Sequence, residues 1–382
     1  MMQRTDGDIG GGQHTASGTQ LARNRRATSL AEPSGFGDTP PVTEPAAAAG
    51  ACVLCGEPGT PLHTQLSDRL FDATGTWSLL SCTGCSLVWL DPRPENPLEL
   101  YDRYYTHGRE GGPETASLLR RAVNRGIPAA RMGYPAAPGA PPLERWLGQL
   151  LSWIGPLREI AEHGVMWLPV SRRGRLLDVG CGSGLFLERM RDFGWQVAGV
   201  EPDAPAARAA EQRLGDDALV VAHLDDPALA SESFDAVTMS HVIEHVPDPI
   251  GTLSKCRELL APTGTLVCVT PNTRSLGVRS FGANWLHWDP PRHLNLFDPA
   301  SLERTIREAG LEVERVATPG STAHFVWQAS SLIERRGRLP DIDLSGVSPA
   351  LLLESIGFWA LEYLLTRIGR SCGEEVLVVA KR

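Results

Sequence analysis

Lysine is almost absent from this 382-residue chain: of its 36 basic residues only Lys255 and Lys381 are lysine, and the others are arginine. The formal net charge is −9. An acidic chain without a lysine cluster is poorly suited to follow a phosphate backbone, so nucleic acid is a disfavoured partner. Residues 1–20 lack the cationic segment and apolar run of a secretory signal. We therefore expect a cytoplasmic protein.

Long uncharged apolar stretches are missing as well. The most apolar late segment, residues 349–368, contains Glu354, Glu362 and Arg367. Each charge costs about 2.5–3.5 kcal/mol near the centre of a bilayer, so we expect no membrane span. The pattern is typical of an amphipathic helix packed on the domain, and a peripheral membrane contact or a dimer contact is the alternative. The sequence does not indicate the oligomeric state.

The patterns along the chain predict four regions. Residues 1–50 are small and polar without a period, which indicates a disordered tail. Residues 51–95 carry two CxxC pairs around strand-like segments, and residues 96–170 are predicted to be a linker and helical lid. From 171 to 382 strands alternate with helices, with a helical insertion at about 320–370. Such alternation predicts an α/β fold with a parallel sheet covered by helices on both faces.

Eight cysteines in a chain expected in the cytoplasm indicate thiols or metal ligands rather than disulfides. Cys52 and Cys55 form one CxxC pair, and Cys82 and Cys85 form another after 26 intervening residues. Four thiolates from two such pairs make the closed tetrahedral set of a structural zinc ion, which leaves no open position for catalysis. We therefore predict a zinc-ribbon-like module at residues 51–95, called the cysteine module below.

A glycine-rich loop follows the first strand candidate, residues 175–179. Glycines allow positive φ and close approach of the backbone to a ligand, and the following helix offers N–H groups. The spacing is GxGxG rather than the GxGxxG of dinucleotide-binding loops. Asp178 places a carboxylate beside this loop, which suits a ligand with an ammonium group, such as S-adenosylmethionine. The predicted cofactor-binding residues of this loop are Asp178, Gly180, Cys181, Gly182 and Gly184.

Two further acids follow the next strand candidates. Glu201 comes 17 residues after Gly184, at the end of the second strand candidate, where a carboxylate can accept both hydroxyls of a ribose. Asp225 lies just past the third candidate and is predicted to reach the adenine side of the same pocket.

The segments LDVGCGSG, GVEPD and SFDAVTMSHVIEHVPDP together resemble the class I S-adenosylmethionine-dependent methyltransferases, over residues 172–316 and the last ten. The resemblance implies a Rossmann-like seven-stranded sheet whose one antiparallel strand, near the edge, would be EEVLVVAKR. It also implies that the first loop holds the methionine moiety, Glu201 the ribose and Asp225 the adenine.

His241, Glu244 and His245 spell HxxEH, which is also the inverzincin pattern of some zinc peptidases. Here the pattern follows directly on a strand candidate, residues 234–240, at the sheet edge where ligands bind. The segment is similar to EHVPDP of small-molecule O-methyltransferases, including those of quinone biosynthesis. That similarity implies that the acid and the histidine face the acceptor, and that a divalent ion can lie near Glu244 and His245.

Methyl transfer requires alignment of the acceptor and removal of a proton, for which a histidine of near-neutral pKa is suited. The catalytic candidates are His241, His245 and His293, with Glu244 beside them. His293 belongs to NWLHWDPPRHLNLF, a segment that resembles the substrate-side region after strand five in related enzymes. The cysteine module followed by this domain is similar to bacterial methyltransferases of sugar, polysaccharide and natural-product biosynthesis. We therefore expect O- or C-methylation of a small-molecule or glycosyl acceptor in secondary-metabolite or polysaccharide biosynthesis.

Two other functions are compatible with the sequence. A zinc-ribbon RNA methyltransferase would join a cysteine module to the same fold, and would show a basic face and salt-sensitive RNA binding. A non-enzymatic interaction protein that retains the fold would fail to bind S-adenosylmethionine.

Overall fold

The computed structural model describes residues 50–95, 117–136, 139–215 and 218–382. The predicted disordered tail up to residue 49, and the part of the predicted linker at residues 96–116, lie outside the described residues. The strands are β1 (Gly59–Leu66), β2 (Trp77–Cys82), β3 (Val88–Asp91), β4 (Arg175–Val179), β5 (Gln196–Val200), β6 (Leu219–Val221), β7 (Phe234–Ser240), β8 (Leu260–Pro271), β9 (Asn295–Leu296), β10 (Glu312–Ala317) and β11 (Glu375–Lys381).

The helices of the described chain lie between β3 and β11. They are α1 (Leu118–Arg121), α2 (Ile127–Arg131), α3 (Pro142–Leu151), α4 (Gly155–Gly164), α5 (Leu185–Asp192), α6 (Ala204–Leu214), α7 (Pro249–Leu259), α8 (Leu276–Phe281), α9 (Pro299–Glu308), α10 (Ala323–Arg336) and α11 (Pro349–Arg367). A π-helical stretch, Ala122–Gly126, joins α1 to α2. Among the described residues, no helix is both long and apolar enough to cross a membrane.

Seven strands form the main sheet in the order β10, β11, β8, β7, β4, β5, β6. Strand β11 runs antiparallel to both of its neighbours, β8 and β10, whereas the other pairs are parallel. The central strands are apolar and buried, as expected when helices cover both faces of a sheet. The predicted seven-stranded fold and the antiparallel position of EEVLVVAKR are confirmed.

Alternate side chains of the central strands face opposite layers of helices. Leu177 and Val237 pack in one apolar cluster with Leu253 of α7. Leu176, one residue earlier in β4, packs in another cluster with Leu187 of α5. The period of two along a strand therefore divides the core into two layers, and it leaves the carboxyl ends of β4, β5 and β7 at one edge for a ligand.

The cysteine module contributes three strands to a second, antiparallel sheet of order β1, β2, β3, β9. Its fourth strand, β9, comes from the main domain: Val88 pairs with Leu296, and Trp89 pairs with Asn295. Leu79 of β2 shares an apolar cluster with residues of the main domain that include Trp285. The cysteine module and the main domain therefore have one sheet and one core in common.

The helical region before the main sheet differs in detail from the prediction. The apolar spacing predicts two helices broken at Pro156, but α3 ends at Leu151 and α4 begins at Gly155. Pro156 lies in the first turn of α4, where the absence of its N–H group breaks no hydrogen bond. The break is instead made by residues 152–154. The predicted helical insertion at about 320–370 is present as α10 and α11.

Candidate active site

The glycine loop between β4 and α5 has the backbone that its glycines predict. Gly180, Gly182 and Gly184 have φ values of 75°, 53° and 76°. A Cβ atom on Gly180 would collide with Cγ2 of Val242. Oε2 of Glu201 accepts a hydrogen bond from the N–H of Gly182 at 2.8 Å. The acid at the end of β5 therefore holds the middle of the loop in place.

Asp178 is buried beneath this loop. One of its oxygens accepts a hydrogen bond from Oγ1 of Thr238 at 2.7 Å. Burial raises the pKa of Asp178 to about 7, and the negative charge of Glu201 adds to the increase. A ligand ammonium group beside Asp178 would restore its ionised form, because an opposite charge lowers the pKa of a carboxyl group.

Asp225 is exposed, and its ion pair is with a helix residue. Its side chain is 86% exposed, and Oδ1 lies 3.4 Å from Nζ of Lys255 in α7. Glu201, Asp178 and the glycines are thus placed together, whereas the adenine role of Asp225 stays a prediction.

On the other side of β4, the end of β7 carries His241 in a left-handed conformation with φ of 53°. Its Nε2 lies 2.9 Å from Oε1 of Glu375, and its Nδ1 lies 3.3 Å from Oε1 of Glu244. Burial opposes a charge on His241, but the two carboxylates outweigh burial and raise its pKa well above the usual value. A raised pKa favours the charged imidazolium, which has no nitrogen left to accept a proton, and the catalytic role of His241 stays a prediction.

Glu244 is fully buried, and both its backbone and its side chain have fixed contacts. Oε2 accepts a hydrogen bond from Oγ1 of Thr270 at 2.8 Å. The backbone carbonyl accepts from the N–H groups of Leu294 and Asn295 at 2.7 and 3.0 Å. Burial opposes ionisation, but the ion pair with His241 outweighs it and holds the pKa of Glu244 well below its usual range. An ionised carboxylate thus lies beneath His241.

His245 and His293 form an edge-to-face pair with ring centroids 4.6 Å apart. Nδ1 of His245 lies 3.0 Å from the carbonyl oxygen of Arg292, and Nδ1 of His293 lies 2.7 Å from that of His287. Because a carbonyl oxygen only accepts, each Nδ1 carries a proton, so that a ring in its neutral form has its unprotonated nitrogen at Nε2. Burial and the neighbouring His293 lower the pKa of His245 to about 4, so this ring is neutral at pH 7.

One ligand atom each from Glu244, His245 and His293 lie within 4.8 Å of one another. Within the described ranges, Oε1 of Glu244 accepts no hydrogen bond of good geometry although it is buried. Two imidazole nitrogens and a carboxylate are a donor set for divalent transition metals, and hydrogen bonds from Nδ1 to carbonyl groups orient such ligands. The residues therefore fit a divalent ion. The sequence indicated Glu244 and His245 for such an ion but not its third member, His293.

Arg292, next to His293, belongs to a buried ion cluster that the sequence analysis missed. Two of its nitrogens donate to the two carboxylate oxygens of Asp68 at 2.8 and 2.7 Å, and its Nε donates to Asp289 at 3.1 Å. Its guanidinium carbon lies 4.7 Å from the ring centroid of Phe71. The cluster fastens the segment that carries His293 to the cysteine module. In the sequence, the charged residues Asp289 and Arg292 of DPPRH could have indicated this ion cluster. No pattern around Asp68 indicates that it takes part.

The four cysteines of the cysteine module converge. The Sγ–Sγ distance is 3.5 Å for Cys52 and Cys85, 3.3 Å for Cys55 and Cys82, and 3.6 Å for Cys55 and Cys85. A tetrahedral zinc ion with Zn–S bonds of about 2.3 Å requires sulfur atoms about 3.8 Å apart. The four thiols are thus placed to hold a zinc ion, as predicted.

Comparison with known proteins agrees with this site. Residues 157–316 match a family model described as a methyltransferase domain. The chain is 36% identical over 170 residues to the ubiquinone biosynthesis O-methyltransferase of Cereibacter sphaeroides, an alignment that covers 41% of this chain and 68% of that relative. The corresponding enzyme of Thiobacillus denitrificans is 32% identical over 176 residues, covering 42% and 75%.

Among solved structures, an S-adenosylmethionine-dependent methyltransferase from Mesorhizobium loti aligns with a TM-score of 0.40 and 19% identity, covering 59% of this chain and 98% of that one. That score is too low to support an argument, and the fold rests on the strand order described above. The family rests on the sequence relatives and on the matching family model. The chain therefore belongs to the class I S-adenosylmethionine-dependent methyltransferases, and S-adenosylmethionine is its cofactor.

Proposed function

We propose that this enzyme transfers the methyl group to an oxygen atom of a small-molecule or glycosyl acceptor bound beside His245 and His293. The observation that carries the proposal is the pair of imidazoles, each with Nδ1 held by a backbone carbonyl, next to the buried carboxylate of Glu244. The relatives named O-methyltransferases support oxygen as the methylated atom.

The chemistry asks for alignment and for removal of a proton. The sulfonium centre of the cofactor is already a good leaving group. The acceptor hydroxyl must therefore approach the methyl group in line and lose its proton as the new O–C bond forms. Asp178 and Glu201 hold the cofactor from one side of β4, and His245 and His293 face the acceptor from the other. In this arrangement Nε2 of either ring accepts the proton, because Nδ1 of each ring is already protonated.

A divalent ion gives a second version of the same site. Glu244, His245 and His293 would hold it, and the ion would lower the pKa of an acceptor hydroxyl bound to it. The low pKa of His245 favours this version, because a weakly basic imidazole is a poor proton acceptor but still a good metal ligand. In both versions Thr270 and the carbonyls of Arg292 and His287 orient the three side chains.

The test begins with calorimetric titration of the zinc-assayed protein with S-adenosylmethionine. Formation of S-adenosylhomocysteine is then measured with a panel of phenols, catechols and nucleotide sugars. His245→Ala and His293→Ala should each lower turnover by about 10²–10⁴-fold while cofactor affinity stays unchanged. His324→Ala, a half-buried histidine on α10, is the matched control. Full turnover in both site variants would contradict the proposal.

Chelation distinguishes the two versions. If Glu244, His245 and His293 hold an ion, EDTA should abolish turnover and Mg²⁺ or Zn²⁺ should restore it. If the histidines act as bases, turnover should persist after EDTA. The zinc content of the same samples is measured, so that loss of metal from the four cysteines is recognised.

A further inference from the structure

A cavity of about 670 Å³ lies between α4, β10 and α11, outside the cofactor loop. Its size is within the usual range for small-ligand sites. Its lining includes two carboxylates, Glu159 and Glu162, and four arginines, Arg158, Arg315, Arg367 and Arg370. In a chain of net charge −9, this is a local excess of positive charge.

The two carboxylates offset only part of this excess, and the charge of Arg367 acts on Glu159, where it opposes the rise in pKa that burial causes. Nε of Arg158 lies 3.7 Å from Glu162, but in the described part of the chain Arg315, Arg367 and Arg370 take part in no ion pair. Oε1 of Glu159 accepts a hydrogen bond from the N–H of Gly320 at 2.7 Å.

The arginines come from three elements. Arg367 lies in the last turn of α11, and Arg370 follows shortly after, where positive charges stabilise the helix dipole. Arg158 belongs to α4 and Arg315 to β10, so the end of one helix does not account for their convergence. The guanidinium carbon of Arg367 lies 4.9 Å from the ring centroid of Tyr363, which holds this side chain in place.

The cavity adjoins the acceptor side of the active site. Gly320, which bonds to Glu159 in the cavity wall, precedes Ser321. Oγ of Ser321 donates to Oε2 of Glu375 at 2.9 Å, and the other oxygen of Glu375 lies 2.9 Å from Nε2 of His241. A chain of contacts through Gly320, Ser321 and Glu375 thus connects the cavity wall to His241.

We propose that this cavity binds a phosphate or diphosphate group carried by the acceptor, an inference that rests on the proposed function. Guanidinium groups suit this role because their N–H donors match pairs of phosphate oxygens. Two hydroxyl side chains of the lining supply further donors, those of Thr318 and Ser371.

The phosphate can belong to a soluble nucleotide or to a lipid, and the surroundings make both sources relevant. Gly155 at the start of α4 packs directly against Tyr363 of α11. Three large apolar side chains are exposed near the ends of these two helices: Trp153 and Ile154, just before α4, and Ile368, next to Arg367. The chemistry of the bound group is the same in either case.

The test uses the full zinc-loaded chain and three probes. Pyrophosphate and UDP are titrated calorimetrically, and phosphatidylcholine vesicles with and without phosphatidic acid are used for co-sedimentation. Arg367→Ala/Arg370→Ala should weaken binding of the active probe at least tenfold, because two charge-assisted contacts are lost. The matched control, Arg335→Ala/Arg336→Ala, removes the same charge from the last turn of α10 and should leave binding unchanged. If the first pair fails to fold, Arg315→Ala on strand β10 serves in its place.

Binding of pyrophosphate or UDP that only the cavity variants lose supports the proposal with a soluble source. Sedimentation that requires phosphatidic acid and is lost only in those variants supports it with a lipid source. No binding of any probe, or an equal loss in the control pair, overturns it. S-adenosylmethionine affinity, measured in the same samples, separates the two proposals: intact cofactor binding without phosphate binding rejects only the cavity assignment.

Discussion

Replacing Asp68 by Asn tests whether the cysteine module fastens the segment that carries His293. Asp68 and Arg292 have side chains that are 0% and 1% exposed, and the variant removes one charge of this buried pair. Breaking such a pair from one side costs about 3–5 kcal/mol, because the remaining charge stays buried. Asp289 still faces Arg292, so we expect the lower end, about 3 kcal/mol of unfolding free energy.

At about 2 °C per kcal/mol for a protein of this size, the midpoint of thermal unfolding should fall by about 6 °C. Calorimetry or circular dichroism measures it. Burial opposes ionisation of Asp68, but Arg292 outweighs burial and lowers the pKa of Asp68. The stabilisation is therefore present above the pKa of the unfolded carboxyl, about 4, and is lost as the pH falls through the folded value. The difference between wild type and variant should shrink in acid.

The control is Asp72→Asn. Asp72 pairs with Arg338, but both side chains are more than half exposed, so the loss should be below about 1 kcal/mol. Turnover should fall in the Asp68 variant with cofactor affinity retained, because the carbonyl of Arg292 sets the tautomer of His245. A midpoint within about 2 °C of wild type, equal to that of the control, would refute the reasoning.

Three other predictions concern the cofactor loop and the metal. The pKa of Asp178 is raised to about 7, and its carboxyl must ionise to pair with the ammonium group of S-adenosylmethionine. Affinity for the cofactor should therefore fall up to about tenfold per pH unit below pH 7. In calorimetry, Asp178→Asn should abolish this pH dependence. Gly180→Val should eliminate cofactor binding through the collision with Val242 and the positive φ, and near-normal affinity would remove the loop assignment. Cys82→Ser should release zinc in a metal assay, whereas Ser at the isolated, buried Cys256 should not; equal zinc contents would contradict the four-cysteine site.

The parts of this site that follow from the sequence are those encoded locally. The glycine loop and Asp178 lie within ten residues, and Glu201 ends the next strand, so strand alternation alone brings them to one edge of the sheet. His293 joins Glu244 only because two backbone N–H groups just after it bond to the carbonyl of Glu244, and the resemblance to relatives supplied that candidate.

Other contacts depend on the folded chain. Asp68 meets Arg292 across 224 positions, and no period in the sequence reports such a pair. The sequence predicts only that Glu375 begins the last strand. Its contact with His241 exists because β11 lies antiparallel beside β8. The same pairing supplies the second carboxylate that raises the pKa of His241, which the HxxEH pattern does not show.

The sheet shared by β1, β2, β3 and β9 has a consequence for exchanging acceptor specificity between relatives. A chimera that swaps only residues 51–95 would pair a foreign β3 with the native β9 and would leave Arg292 facing an unmatched partner for Asp68. A swap of residues 285–296 alone would make the same mismatch from the other side. The two segments therefore belong to one folding unit, and recombination should succeed only when both are taken from the same parent.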